Sequence, residues 1–112
     1  METNKLKDLE QKLGVKFKNQ NLLLESLTHR SYLNEKPDWP LNHNERMEFL
    51  GDAVLEMAVT EFLFKKYEDP EGVLTSWRAA LVNAVMLSEI ANKIELNDHI
   101  LLSQGEKKDL GR

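Results

Sequence analysis

Four carboxylates, Glu45, Glu48, Asp52 and Glu56, recur at helical spacing through a stretch that is otherwise mostly apolar. At about 100° per residue they fall within an arc of roughly 80° on one helix face. Glu48 and Asp52 are like-charged i,i+4 neighbours, and so are Asp52 and Glu56. Each such pair costs about 0.2–0.5 kcal/mol on an exposed helix. No Lys or Arg lies three or four residues from Glu48 or Asp52 to offset the repulsion. The remaining circumference carries Met47, Phe49, Leu50, Val54, Leu55, Met57, Ala58 and Phe62. A narrow acidic stripe framed by apolar surface suits a hard divalent cation. Mg²⁺ takes oxygen ligands and is commonly held by one or two carboxylates, with water and substrate phosphate completing the octahedron. A solvated helix face is the bland alternative. The helix dipole accounts for Glu45 and Glu48 in the first turns, but its effect fades before Asp52 and Glu56.

The other polar candidates are weaker. His29, in Leu27-Thr28-His29-Arg30-Ser31-Tyr32, is a ligand or acid/base candidate, although a single histidine at a helix end more often bonds locally. His43 adjoins the acidic helix, and His99 carries no signal. Three scattered histidines and no cysteine argue against zinc. Glu71 precedes Gly72 in what reads as a turn. Arg78 could meet phosphate or pair with a surface acid.

These groups must be positioned by helices, and the pattern reads as all-α. Leu6, Leu9 and Leu13 share a face of a first helix over residues 4–13, stopped by Gly14. Val15 and Phe17 form a buried connector. Asn19 caps a second helix with Leu22, Leu23, Leu24 and Leu27, which ends between residues 28 and 30. Pro37 and Pro40 place a loop over residues 34–41. The acidic helix starts at Asn42 or Asn44 and runs to Tyr67. Gly51 within it costs about 1 kcal/mol relative to Ala, which predicts close approach of another helix there. Residues 69–72 form a turn, and residues 75–94 are helical with a break at Asn83. The tail holds a short apolar run, Ile100-Leu101-Leu102, before turning polar.

Composition sets outer limits. The 112 residues suit one domain with a modest core. Charged residues at 30% and hydrophobic residues at 41% are globular proportions, which excludes a disordered chain. No apolar run of about 18 residues is present, and no signal-peptide pattern, so a cytoplasmic protein without membrane contact is expected. Fifteen basic against nineteen acidic side chains give a net charge of −4, which speaks against a binder that relies on its own charge to hold nucleic acid. It leaves a metal-dependent phosphodiesterase open, because bound cations neutralise catalytic carboxylates.

Residues 44–55, Asn44-Glu45-Arg46-Met47-Glu48-Phe49-Leu50-Gly51-Asp52-Ala53-Val54-Leu55, closely resemble the ribonuclease III family signature NERLEFLGDAVL. Met47 for Leu is a volume-conserving change. Lys12-Leu13-Gly14-Val15-Lys16-Phe17 is similar to the family's N-terminal connector, and residues 27–32 to its LTHRSY segment. Residues 70–75 with Trp77-Arg78-Ala79-Ala80-Leu81-Val82-Asn83 resemble its PEG-L and RA-LVN stretch. The matches keep the family's order and cover nearly the whole chain.

The resemblance implies an all-α ribonuclease III endonuclease domain over residues 1–112, acting as a homodimer on double-stranded RNA, with ribosomal RNA precursors among its substrates. It implies Mg²⁺, with Mn²⁺ able to substitute, and no small-molecule cofactor. Glu48 would be a direct metal ligand, and Asp52 the essential acid that orders the metal site and its attacking water. Glu45 and Glu71 would have supporting roles near the cleavage site, Phe49 would anchor the dimer, and Glu56 would be incidental. The family's second carboxylate pair, in a segment resembling D-x-x-E-A-x-I-G, has no counterpart here, nor does its C-terminal RNA-binding domain. The fold is therefore expected to be incomplete at the C-terminal end, as the front part of a longer enzyme, and inactive by itself. The alternative is a catalytically inactive ribonuclease III-like dimerisation or ribonucleoprotein module.

Overall fold

A computed structural model describes residues 3–110. The helices among them are α1 (Thr3–Leu13), α2 (Gln20–Ser26), α3 (Arg30–Glu35), α4 (Glu45–Lys66), α5 (Glu71–Leu81), α6 (Ala84–Lys93) and α7 (Gln104–Leu110), with one 3₁₀ turn at Leu96–Asp98. No strand occurs among the described residues, and the extended pairing present is an isolated parallel bridge between Thr28 and Leu101.

The packed part of the molecule follows from the leucine spacing of the first two helices. Leu6 and Leu9 of α1 bury against Leu23 of α2 and Leu27 just beyond it, with Phe17, Leu24 and Leu96 closing the cluster. Leu13, expected on the same face, is 41% exposed because Gly14 turns the chain away with φ +72. The connector is held by a buried acid: the Glu10 carboxylate accepts from the Phe17 N–H at 2.6 Å and from Gln20 Nε2 at 3.2 Å. Asn19 caps α2 as expected, accepting from the Asn21 N–H at 3.0 Å. Lys12 Nζ lies 3.3 Å from both Asp8 and Glu95, which joins α1 to the segment after α6.

Three boundaries differ from the sequence reading. Residues 30–35 form a separate helix instead of fading into a loop, because His29 caps it: its Nδ1 accepts from the Ser31 N–H at 3.1 Å. Glu71 and Gly72 belong to α5 and not to a turn. Pro70, with φ −62, starts the helix, and its carbonyl accepts from the N–H groups of Val73 and Leu74 at 3.0 and 3.1 Å. The expected break at Asn83 is a full helix boundary. The Asn83 side chain accepts from the Met86 N–H at 2.9 Å and donates back to the Ala79 and Ala80 carbonyls, so one residue ends α5 and begins α6.

The second half of the molecule is open. In α4 only Leu63 is buried, whereas Phe49 is 84% exposed, Phe64 77% and Met57 69%. A β-carbon at Gly51 would meet nothing within 4 Å, so the expected close helix is not supplied by the described residues. The radius of gyration, 16.4 Å, exceeds the roughly 13 Å of a compact chain of this length. The apolar circumference of α4 is thus left largely uncovered by the described residues.

Candidate active site on the acidic helix

The start of α4 is fixed from the corner between α2 and α3. Thr28, fully buried, turns its hydroxyl onto the Leu24 carbonyl at 2.7 Å and offers its own carbonyl to the Asn44 N–H at 2.9 Å. Asn44 precedes α4, but its side chain does not cap the helix. Its Nδ2 donates to the Ser26 carbonyl at 2.9 Å, while its own carbonyl accepts from Glu48 N–H at 2.8 Å. Leu101 completes the corner: its N–H donates to the Leu27 carbonyl at 2.8 Å and its carbonyl accepts from the His29 N–H at 3.0 Å. Two segments distant in sequence therefore set where the acids of α4 begin.

Glu45, Glu48 and Asp52 line one open cavity of about 840 Å³, together with Phe49, Gly51, Leu55 and Leu87. Among the described residues Glu48 and Asp52 take part in no ion pair. Two unneutralised carboxylates one helical turn apart, facing an open space, are available to a cation or its waters. Among the described residues no group of three or more acidic or histidine side chains is assembled to hold a metal by itself. The donor set therefore fits Mg²⁺ held by one or two carboxylates and completed from elsewhere. It does not fit a closed structural metal site.

The other two acids of the stripe are neutralised. Arg30 Nη2 donates to Glu45 Oε2 at 2.6 Å, and His43 Nδ1 lies 3.9 Å from the same oxygen. Glu56 sits 3.7 Å from Arg78 Nε, whose Nη1 also donates to Thr60 Oγ1 at 2.9 Å. Of the two readings open for Arg78, pairing with an acid is the one the geometry supplies. Glu71 is not brought to Glu48 and Asp52. It lines a separate cavity of about 610 Å³ between the end of α4 and the start of α5, with Tyr67, Leu74 and Arg78.

His29 is engaged locally, its Nδ1 2.7 Å from Ser31 Oγ, as the bland reading had it. His99 gave no signal in the sequence, yet it is 3% exposed, with Nε2 3.6 Å from Asp8 and neither ring nitrogen within hydrogen-bond reach of a partner. The sequence reading also missed Arg30 and Asn44 as the residues that place α4. Their partners lie 15 and 18 residues away, beyond any helical periodicity.

Comparison with known proteins identifies the family and the fold. A family model described as Ribonuclease-III-like matches residues 19–112. The chain is 46% identical over 109 residues to Ribonuclease 3 of Geobacillus sp. strain WCH70, covering 96% of this chain and 44% of that protein. It is 48% identical over 106 residues to Ribonuclease 3 of Natranaerobius thermophilus, covering 94% and 45%. The chain thus spans less than half the length of these curated relatives. A crystal structure of the nuclease domain of ribonuclease III from Campylobacter jejuni superposes with a TM-score of 0.82 at 45% identity, covering 99% of this chain and 71% of that one. A second structure of that domain, described for flexibility in a region involved in dimer formation, gives 0.79 at 47% identity, covering 93% and 69%. With a family model over most of its length and these relatives in both sequence and structure, the chain belongs to the ribonuclease III family.

Proposed function

We propose that this chain supplies the first half of the catalytic site of an endoribonuclease that hydrolyses phosphodiester bonds in double-stranded RNA, ribosomal RNA precursors included. The observation that carries the reading is the pair Glu48 and Asp52, unneutralised in a shared open cavity of a ribonuclease III family member. The named relatives support the activity, and the fit of the donor set supports Mg²⁺, with Mn²⁺ as a substitute. A bound divalent cation supplies a nucleophilic water at neutral pH and neutralises charge building on the phosphoryl oxygens.

This chain's residues prepare for that chemistry. The Glu48 carboxylate would hold the cation directly. Asp52, one turn further along α4, would help order the metal site and orient the attacking water. Glu45 supports the same cavity from the first turn, and Glu71 acts near the scissile strand from the start of α5. Phe49, the most exposed large apolar side chain next to these acids, anchors a second copy of the chain in a homodimer. Among the described residues no helix is long and apolar enough to cross a membrane, which suits a protein working on RNA in the cytoplasm.

The site needs further donors, so the 112 residues alone are expected not to cleave duplex RNA at a useful rate. The test is a chimera in which these residues replace the matching part of the Campylobacter jejuni nuclease domain. The chimera should cut duplex RNA in the presence of Mg²⁺, and lose the cutting in Asp52→Asn and in Glu48→Gln. A folded chimera without Mg²⁺-dependent cleavage would favour the inactive dimerisation module. Robust nicking by the 112-residue chain alone, lost in Asp52→Asn, would overturn the half-site reading.

A further inference from the structure

Arg30 and Glu45 form an ion pair whose exposure and place do not match a stabilising role. At 2.6 Å it is short for a charged pair, yet the two side chains are 63% and 49% exposed. An ion pair so open to water contributes little to stability, typically about 0–1 kcal/mol. The pair instead joins the first turn of α3 to the first turn of α4, at the rim of the cavity that holds Glu48 and Asp52. His43 approaches the same Glu45 oxygen at 3.9 Å, and the Glu45 N–H points toward His43 Nδ1 at 3.4 Å. Glu45 is therefore held from the α3 side while Glu48 and Asp52 are left free.

We propose that Arg30 is a positioning residue that withholds Glu45 from the cation, so that α4 offers two carboxylates to the metal and not three. The proposal rests on the metal-dependent reading of Glu48 and Asp52. The electrostatics of the cavity give the reason. Three free carboxylates around one divalent cation would leave a net negative charge facing an RNA phosphate, and would occupy positions that water and phosphate oxygens must fill. With the Arg30 guanidinium on Glu45, the three acids and one base leave two negative charges, which one divalent cation matches. Arg30 thus trades cation affinity for access by phosphate. The planar fork of arginine suits the task, since it holds a carboxylate in a fixed orientation.

The consequence is counter to the usual effect of breaking an ion pair at a site. In Arg30→Gln, Mn²⁺ binding to the chain, followed by electron paramagnetic resonance, should tighten by about twofold or more, the lower bound of coupling between contacting groups. Arg30→Lys should bring affinity back toward the starting value. In the double variant Arg30→Gln with Glu45→Gln the gain should disappear, because the released carboxylate is no longer there. An unchanged or weaker affinity in Arg30→Gln would overturn the proposal. So would a gain that persists in the double variant, because it would not come from the Glu45 carboxylate. Two further measurements separate this from the underlying reading. Mn²⁺ binding indifferent to Glu48→Gln would sink the metal reading itself. Independently of metal, NMR of the Arg30 guanidinium should show hindered rotation that Glu45→Gln releases, and free rotation in the unsubstituted chain would show that Arg30 does not hold Glu45.

Discussion

The four acids of the stripe have the same chemistry but different surroundings, and those surroundings divide them. Glu56 is answered by Arg78 and Glu45 by Arg30, while Glu48 and Asp52 face open space with no ion-pair partner among the described residues. The sequence showed the stripe through like charges at i,i+4 without local relief, and the family signature weighted Glu48 and Asp52 within it. It could not show the neutralising arginines, because Arg30 precedes Glu45 by 15 residues and Arg78 follows Glu56 by 22. Asn44 was legible only as a helix cap. In the structure its side chain donates across to the Ser26 carbonyl. Asn44→Ala should therefore cost about 0.5–1.5 kcal/mol, the worth of one such hydrogen bond, and shift the urea midpoint down accordingly. A variant as stable as the parent would mean that α4 is placed by its packing alone. Glu10 makes a sharper case. Glu10→Ala strands the Phe17 N–H in a part-buried connector, for an expected loss of about 1–3 kcal/mol in the same measurement.

At the level of elements, long periodic segments were readable and short ones were not. α1 and α4 start and stop within a residue or two of their expected bounds, since leucine spacing, Gly14 and the length of the apolar run all agree. α3 escaped notice because six residues hold too little periodicity, and its start depends on a histidine side chain acting as the cap. The first turn of α5 was taken for a turn because Asp69-Pro70-Glu71-Gly72 has turn composition. Pro70 serves equally to begin a helix. Asn83 was readable in position but not in consequence, because a break and a double cap have the same sequence signal. Asn83→Ala should destabilise the α5–α6 junction by about 1 kcal/mol, detectable as faster amide exchange at Met86 and Leu87 than elsewhere in α6. Uniform exchange along α6 would show that the cap is dispensable.

For the whole molecule, the contrast between its halves explains the shape. The first half closes on Leu6, Leu9, Leu23 and Leu27, and Leu9→Ala should cost about 2–5 kcal/mol there. The second half presents Phe49, Leu50, Val54 and Met57 to solvent, a surface too apolar to be a finished exterior. Gly51 was read as a site of close helix approach, and among the described residues no atom lies within 4 Å of where its β-carbon would be. The uncovered face suits the second copy of the chain proposed above. Phe49→Ala should lower self-association in sedimentation experiments, and an unchanged oligomeric state would remove Phe49 from the interface. The central claim, however, is that the face between Glu48 and Asp52 receives a divalent cation. The most direct measurement is Mn²⁺-induced broadening of amide resonances across the whole chain. The account predicts broadening centred on residues 45–55, abolished by Asp52→Asn or Glu48→Gln with the helical circular dichroism intact. Broadening centred elsewhere, or unaltered by either substitution, would contradict it.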